Sequence, residues 1–157
     1  MGRYRGKLIG LALLIAAVLG IRALITRGSG LPDEPQPIAW DREMCAECRM
    51  HIGEPAFAAQ LITTDGQVLS FDDPGCLFIH LADGKPQIHR AWVHHVETDR
   101  WLPLDQAGFV RVDTSPMGYQ LAAVGAGTPG ALSWPEAQAE ALRARARGQV
   151  HDHGGAR

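Results

Sequence analysis

The chain has 157 residues, 46% of them hydrophobic, with 18 glycines, 10 prolines and a formal net charge of -2. That near balance gives no electrostatic case for nucleic acid, and the apolar share excludes a disordered chain. With an apolar N-terminal segment and a linker set aside, ~115–120 residues remain, enough for one domain around one core. Three cysteines are an odd number, so at least one thiol stays outside any intrachain disulfide or binds something.

Residues 1–7 carry Arg3, Arg5 and Lys7, and Leu8–Ile21 follows without a charge. Arg22 interrupts the run before Ala23–Thr26. The pattern fits a cleaved signal peptide or an uncleaved anchor. No small-x-small cleavage site and no lipid-accepting cysteine follows, so residues 8–26 are read as a single membrane helix, with Arg22 reaching the interface. The basic start places residues 1–7 in the cytoplasm and the domain outside. Residues 27–37, with Gly28, Gly30, Pro32, Pro35 and Pro37, form a flexible linker. The folded domain spans residues 38–148, and residues 149–157 are a polar tail holding His151 and His153.

Within the domain, Ala56–Thr63 reads as a strand, Asp65-Gly66 as a hairpin turn and Val68–Phe71 as the return strand. Asp72 or Asp73 caps a short helix opened by Pro74 and ended at Asp83–Pro86. Ile88–Val96 is a further strand, Trp101–Leu104 a short one, and Asp105–Ala107 one helical turn. Phe109–Val112 and Tyr119–Val124 are strands, and a helix capped by Ser133 with Glu136 runs from about Trp134 to Arg147. The order predicts an α+β fold with an antiparallel sheet.

The chemistry concentrates in Cys45-Ala46-Glu47-Cys48-Arg49-Met50-His51. Thiolate and thioether are soft ligands that select Cu(I). Cys45-x-x-Cys48 also allows a redox disulfide, or half of a zinc site completed by His51 and Cys76. Met117, between Pro116 and Gly118, is poorly placed for ordinary core. Joined to Cys48 and Met50 it makes a three-sulfur set that suits Cu(I) better than zinc, which takes four ligands. Cys45 and His51 are further candidate ligands, and Cys76 reads as a buried free thiol on the apolar face of its helix.

These residues, in order, carry a resemblance. Cys45-x-x-Cys48-x-Met50, Ala58-Ala59-Gln60 leading into Asp65-Gly66, Phe71-Asp72-Asp73, Trp101, Ala107-x-x-Val110, Pro116-Met117-Gly118 and a final Ala-rich helix resemble the NosL family. These are accessory copper-binding proteins of nitrous-oxide reductase maturation, and the resemblance covers roughly residues 43–143. It implies a monomer of two ββαβ-like halves, attached to the inner membrane and facing the periplasm. It implies one bound Cu(I), with Cys48, Met50 and Met117 as ligands and no catalysed reaction. It further implies delivery of that copper to the membrane assembly machinery, to nitrous-oxide reductase or to a related copper enzyme. The family commonly has glycine where this chain has Arg49, which removes an easy left-handed conformation, so a different turn is expected there. A thiol–disulfide protein using Cys45 and Cys48, and a zinc-stabilised structural module, are the alternatives.

Overall fold

The computed structural model describes residues 30–148. The expected membrane helix, residues 8–26, and the tail from residue 149 lie outside them. Among the described residues no helix is long and apolar enough to cross a membrane. The strands are β1 (Ala59–Thr63), β2 (Val68–Phe71), β3 (Ile88–His94), β4 (Trp101–Pro103), β5 (Ala107–Arg111) and β6 (Leu121–Gly125). The helices are α1 (Pro74–Gly84) and α2 (Trp134–Ala146).

The fold is α+β with antiparallel sheets, as the element order predicts. One sheet has four strands in the order β2-β1-β3-β4, and a second pairs β5 with β6. A parallel bridge between His95 and Ala123 joins the end of β3 to β6. The run β1-β2-α1-β3 is a ββαβ unit. The second group runs β5-β6-α2 with no strand after its helix among the described residues, and β4 has joined the first sheet. The two halves are therefore not equivalent. Trp101–Pro103 is too short for a sheet of its own, and its pairing with Trp92, Val93 and His94 gives its backbone groups partners.

Local chemistry accounts for most element ends. Gly66, at φ 88, turns the hairpin between β1 and β2, and its N–H donates to the Thr63 carbonyl at 3.0 Å. The expected strand start at Ala56 is displaced to Ala59, because Pro55–Phe57 forms a 3-10 turn. Pro55 fixes its own φ and has no N–H for a ladder, and its carbonyl accepts from Ala58 at 3.1 Å. At the start of α2 the Glu136 carboxylate accepts from the Ser133 N–H at 2.8 Å and its hydroxyl at 2.6 Å. Ala137, Ala141 and Ala144 form the buried stripe of α2, at the i, i+4, i+7 spacing that faces a core.

α1 is the central element. Pro74 through Ile79 and Leu81 are all buried, so the helix is apolar nearly all round and is enclosed instead of lying on a surface. It packs against β1, β2, β6 and α2. Phe78 meets Phe109 of β5 edge-on with ring centroids 5.0 Å apart. Gln138 donates to the Phe78 carbonyl at 3.0 Å, and Arg145 pairs with Asp83, fixing α2 along α1.

β1 is buried along its whole length, including Gln60. The Gln60 side chain accepts from the Gln36 N–H at 2.6 Å and donates to the Gln36 carbonyl at 3.1 Å and the Ser70 hydroxyl at 3.2 Å. These bonds satisfy a buried amide that would otherwise be costly. They also fasten residue 36, inside the expected linker, to the central strand.

Tyr119 lies directly over the start of α1. A Cβ built on Gly75 would stand 2.1 Å from Tyr119 Cγ, a distance no real contact adopts. Gly75→Ala is therefore expected to destabilise the domain by about 1–3 kcal/mol through overpacking. It should appear as a lower urea midpoint with an unchanged slope.

Candidate metal centre

Three sulfurs meet inside the fold. The Sγ atoms of Cys45, Cys48 and Cys76 lie within 4.8 Å of one another, all three residues are buried, and none is in a disulfide. A metal bound at ~2.3 Å by three coplanar thiolates needs sulfurs about 4 Å apart. The observed separation is within a small adjustment of that value.

Each sulfur is positioned by a local device. Cys45 N–H donates to the Met50 carbonyl at 2.8 Å, and Arg49 N–H returns to the Cys45 carbonyl at 3.1 Å, so residues 45–50 close on themselves. Ala46 N–H bonds the Ser70 carbonyl of β2 at 2.9 Å. Glu47 pairs with His80 of α1 at 3.1 Å. This second anchor holds the Cys45–Cys48 turn against the helix one turn beyond Cys76. Arg49 itself has φ 65, the left-handed conformation. The arginine side chain does not exclude that conformation here, and Arg49 carries its cost of roughly 1–2 kcal/mol.

Two acids at the start of α1 hold the flanking loops. Asp72 accepts from the Gly53 N–H at 3.1 Å, which anchors the chain just after His51. Asp73 caps the helix by accepting from Gly75 at 2.8 Å. Its other oxygen accepts from the Ser115 hydroxyl at 2.6 Å and the Met117 N–H at 3.1 Å. Asp73 thus ties the Met117 loop to the helix that carries Cys76. Burial pushes its carboxyl up to about 6, against the pull of those three donors. The helix cap expected at Asp72 or Asp73 is Asp73, and the same carboxylate also serves the distant loop.

The three thiols shift one another's affinity for protons. Hydrogen bonds from the Cys48 thiol, then the Cys76 thiol, draw Cys45 down, with backbone bonds at Cys48 and Asp72 adding to them. Cys48 and Cys76 are pushed up, each first by its bond to Cys45. Cys76 sits in the first turn of α1, where roughly half a positive charge favours an anion. The bonds to Cys45 and Cys48 and the burial of the thiol outweigh it.

The expected ligands occupy three settings. Cys48 and Cys45 are in the cluster. Met117 is buried, at 3% exposure, in the same core as the three cysteines. Met50 is 47% exposed at the outer side of the turn. His51 is exposed, with Nδ1 2.8 Å from the Asp41 carbonyl, and is not one of the clustered groups. Cys76, expected to be a buried free thiol, joins the cluster. On the sequence it groups with Cys45 and Cys48 only in the zinc alternative, where it completes the Cys45-x-x-Cys48 pair. Of the histidines on and beside β3, His94 and His95 are buried and His89 half-buried.

Two outcomes test this description. Arg49→Gly relieves left-handed strain while loosening the unfolded chain, and is expected to leave stability unchanged or raise it by up to about 1 kcal/mol. Arg49→Val should cost more than 1 kcal/mol, because β-branched residues tolerate that conformation least; chemical denaturation of both variants measures the difference. For Asp73, the folded carboxyl binds its proton more readily than the unfolded one. Its contribution is therefore greatest below pH 4 and is lost as pH rises through about 6. The wild-type stability profile minus that of Asp73→Asn should fall across that window by no more than about 3 kcal/mol.

No protein-family model matches the chain, and no curated protein matches it. Among solved structures it is similar to the crystal structure of the copper chaperone NosL from Shewanella denitrificans, at 24% sequence identity and a TM-score of 0.48. The similarity covers 71% of this chain and 88% of that one.

Proposed function

We propose that this protein is a membrane-attached Cu(I) chaperone of the NosL type. Its cargo ion is held by the buried thiols of Cys45, Cys48 and Cys76 and exchanged at the Cys48–Met50 edge. The observation that carries the reading is the convergence of three unpaired sulfurs inside the core. Three soft donors suit a monovalent d10 ion that accepts trigonal coordination. Zinc would seek a fourth ligand, and among the described residues no histidine, aspartate or glutamate joins the group.

The burial pattern fits a carrier. Cys45 is fully enclosed and Cys76 nearly so, while Cys48 retains 7% exposure beside the exposed Met50 thioether. A partner's sulfur reaches the ion from that side, displaces one ligand, and takes the ion stepwise. No covalent bond of the protein changes. The sequence resemblance extends the proposal to its setting. The apolar segment at residues 8–26 would anchor the domain on the periplasmic side of the inner membrane. The acceptor would be the copper-assembly machinery of nitrous-oxide reductase or of a related enzyme.

A second ligand set has its own support. Asp73 fastens the Met117 backbone to the start of α1, so Cys48, Met50 and Met117 remain a competing trio. The two sets differ in protons. Three thiolates require loss of every proton that the three thiols hold, whereas one thiolate and two thioethers release at most one. Anaerobic Cu(I) titration at several pH values counts them directly. The three-thiol set predicts a steeper gain in log affinity per pH unit near neutrality than the mixed set, whose slope cannot exceed one. It also predicts at least a tenfold loss of affinity in Cys76→Ser. Unchanged Cu(I) binding in Cys76→Ser, with a loss in Met117→Leu, would transfer the site to the mixed set.

Removal of metal separates the chaperone from a zinc-stabilised module. The domain has an enclosed helix and two paired sheets of its own. A chelator should therefore leave its circular dichroism and urea midpoint unchanged, where a structural zinc domain would unfold.

A further inference from the structure

Two soft-metal ligands outside the thiol cluster stand side by side on the surface. Met44 and His51 are bridge partners in an antiparallel pair. The flanking bonds are Ile52 N–H to the Glu43 carbonyl at 2.9 Å and Cys45 N–H to the Met50 carbonyl at 2.8 Å. Bonds on either side of the pair, and none within it, make Met44 and His51 a non-hydrogen-bonded pair. In that geometry the Cα atoms approach to about 4.5 Å and the side chains adjoin. Both residues are exposed, Met44 to 53%, so neither packs a core.

The imidazole is prepared for a ligand. The Asp41 carbonyl can only accept, so the 2.8 Å contact places a proton on His51 Nδ1. In the neutral ring that leaves a lone pair on Nε2. Histidines that bind metals have this arrangement, with one ring N–H held by a backbone carbonyl and the other nitrogen free to coordinate. The carbonyl comes from Asp41, which adopts a left-handed φ of 58, so the backbone carries a local cost at the residue that orients the ring. The thioether of Met44, the cross-strand partner of His51, supplies the soft donor that a monovalent coinage-metal ion prefers.

We propose that Met44 and His51 form a second, exposed site for a monovalent soft cation, Cu(I) or its analogue Ag(I), bound by one thioether sulfur and one imidazole nitrogen. The site is separate from the thiol cluster. Along an extended chain neighbouring side chains point to opposite faces, and Cys45 is fully buried where Met44 is exposed. Two neutral ligands hold such an ion more weakly than thiolates and release it faster. One short ribbon therefore presents a loosely held surface ion next to a tightly held internal one. The site does not depend on the thiol cluster binding copper.

The test uses the full-length, reduced protein with Ag(I), which cannot change oxidation state under these conditions. Histidine 15N resonances are followed during titration. The expected result is an Ag(I)-dependent shift of His51 Nε2 while Nδ1 keeps its proton. Met44→Leu should weaken that Ag(I) response about tenfold, and His51→Gln should remove one equivalent of bound Ag(I) while binding to the cysteines is retained. Both residues are exposed, and an unchanged amide fingerprint verifies that each variant folds. An unmoved His51 Nε2 overturns the proposal, as does a shift insensitive to Met44→Leu or a second equivalent that moves only His151 and His153. In Cys48→Ser the His51 response should persist, so failure of the thiol site and failure of this one are told apart.

Discussion

The buried carboxylate of Asp73 is the interaction on which the arrangement depends. A fully enclosed acid is unfavourable by itself, and its upward-shifted titration records that cost. The cost is offset because one group meets three needs. It caps α1, binds the Ser115 hydroxyl and holds the Met117 N–H. Its neighbour Asp72 holds the far side of the cysteine loop through Gly53. The start of one helix therefore brings together chain segments near residues 45–53, 72–76 and 115–117. Cys45, Cys48, Met50, Cys76 and Met117, the sulfurs of the two competing ligand sets, all lie on them.

Much of this was legible where the determinant is local. The Asp65-Gly66 turn, the Asp73-Pro74 helix start and the Ser133–Glu136 cap are set by residues within a few positions of each other, and the structure follows them. The misread strand starts occur where a neighbouring turn or a nearby hydroxyl overrides the apolar pattern. The strand expected from Ala56 begins later because Pro55 favours a tight turn. The strand expected from Tyr119 begins at Leu121. Gln120 takes a left-handed φ of 57, supported by the Ser115 hydroxyl that receives its N–H at 3.0 Å.

The site was half legible because its thiols come from two separate segments. The density of sulfur in residues 44–50 is visible in the sequence, and Cys48 was identified there. Cys76 belongs to the cluster only because α1 lies under the loop, a contact between segments about thirty residues apart. Nothing in an apolar helix separates a cysteine that packs from one that ligates. Arg49 shows the reverse case. The side chain disfavours the left-handed bend, and the closed loop from Cys45 to Met50 imposes it. Surrounding bonds override a local preference of one or two kcal/mol.

The contact between Gly75 and Tyr119 has an evolutionary consequence. The tyrosine ring fills the space that a side chain at position 75 would need. Neither residue is free to drift alone. In a lineage sharing this fold, a larger residue at 75 should accompany a smaller one at 119, making the pair a covarying marker. Because the two lie on the helix start and just beyond the Met117 loop, that marker would track the join between the two halves of the sulfur-bearing core.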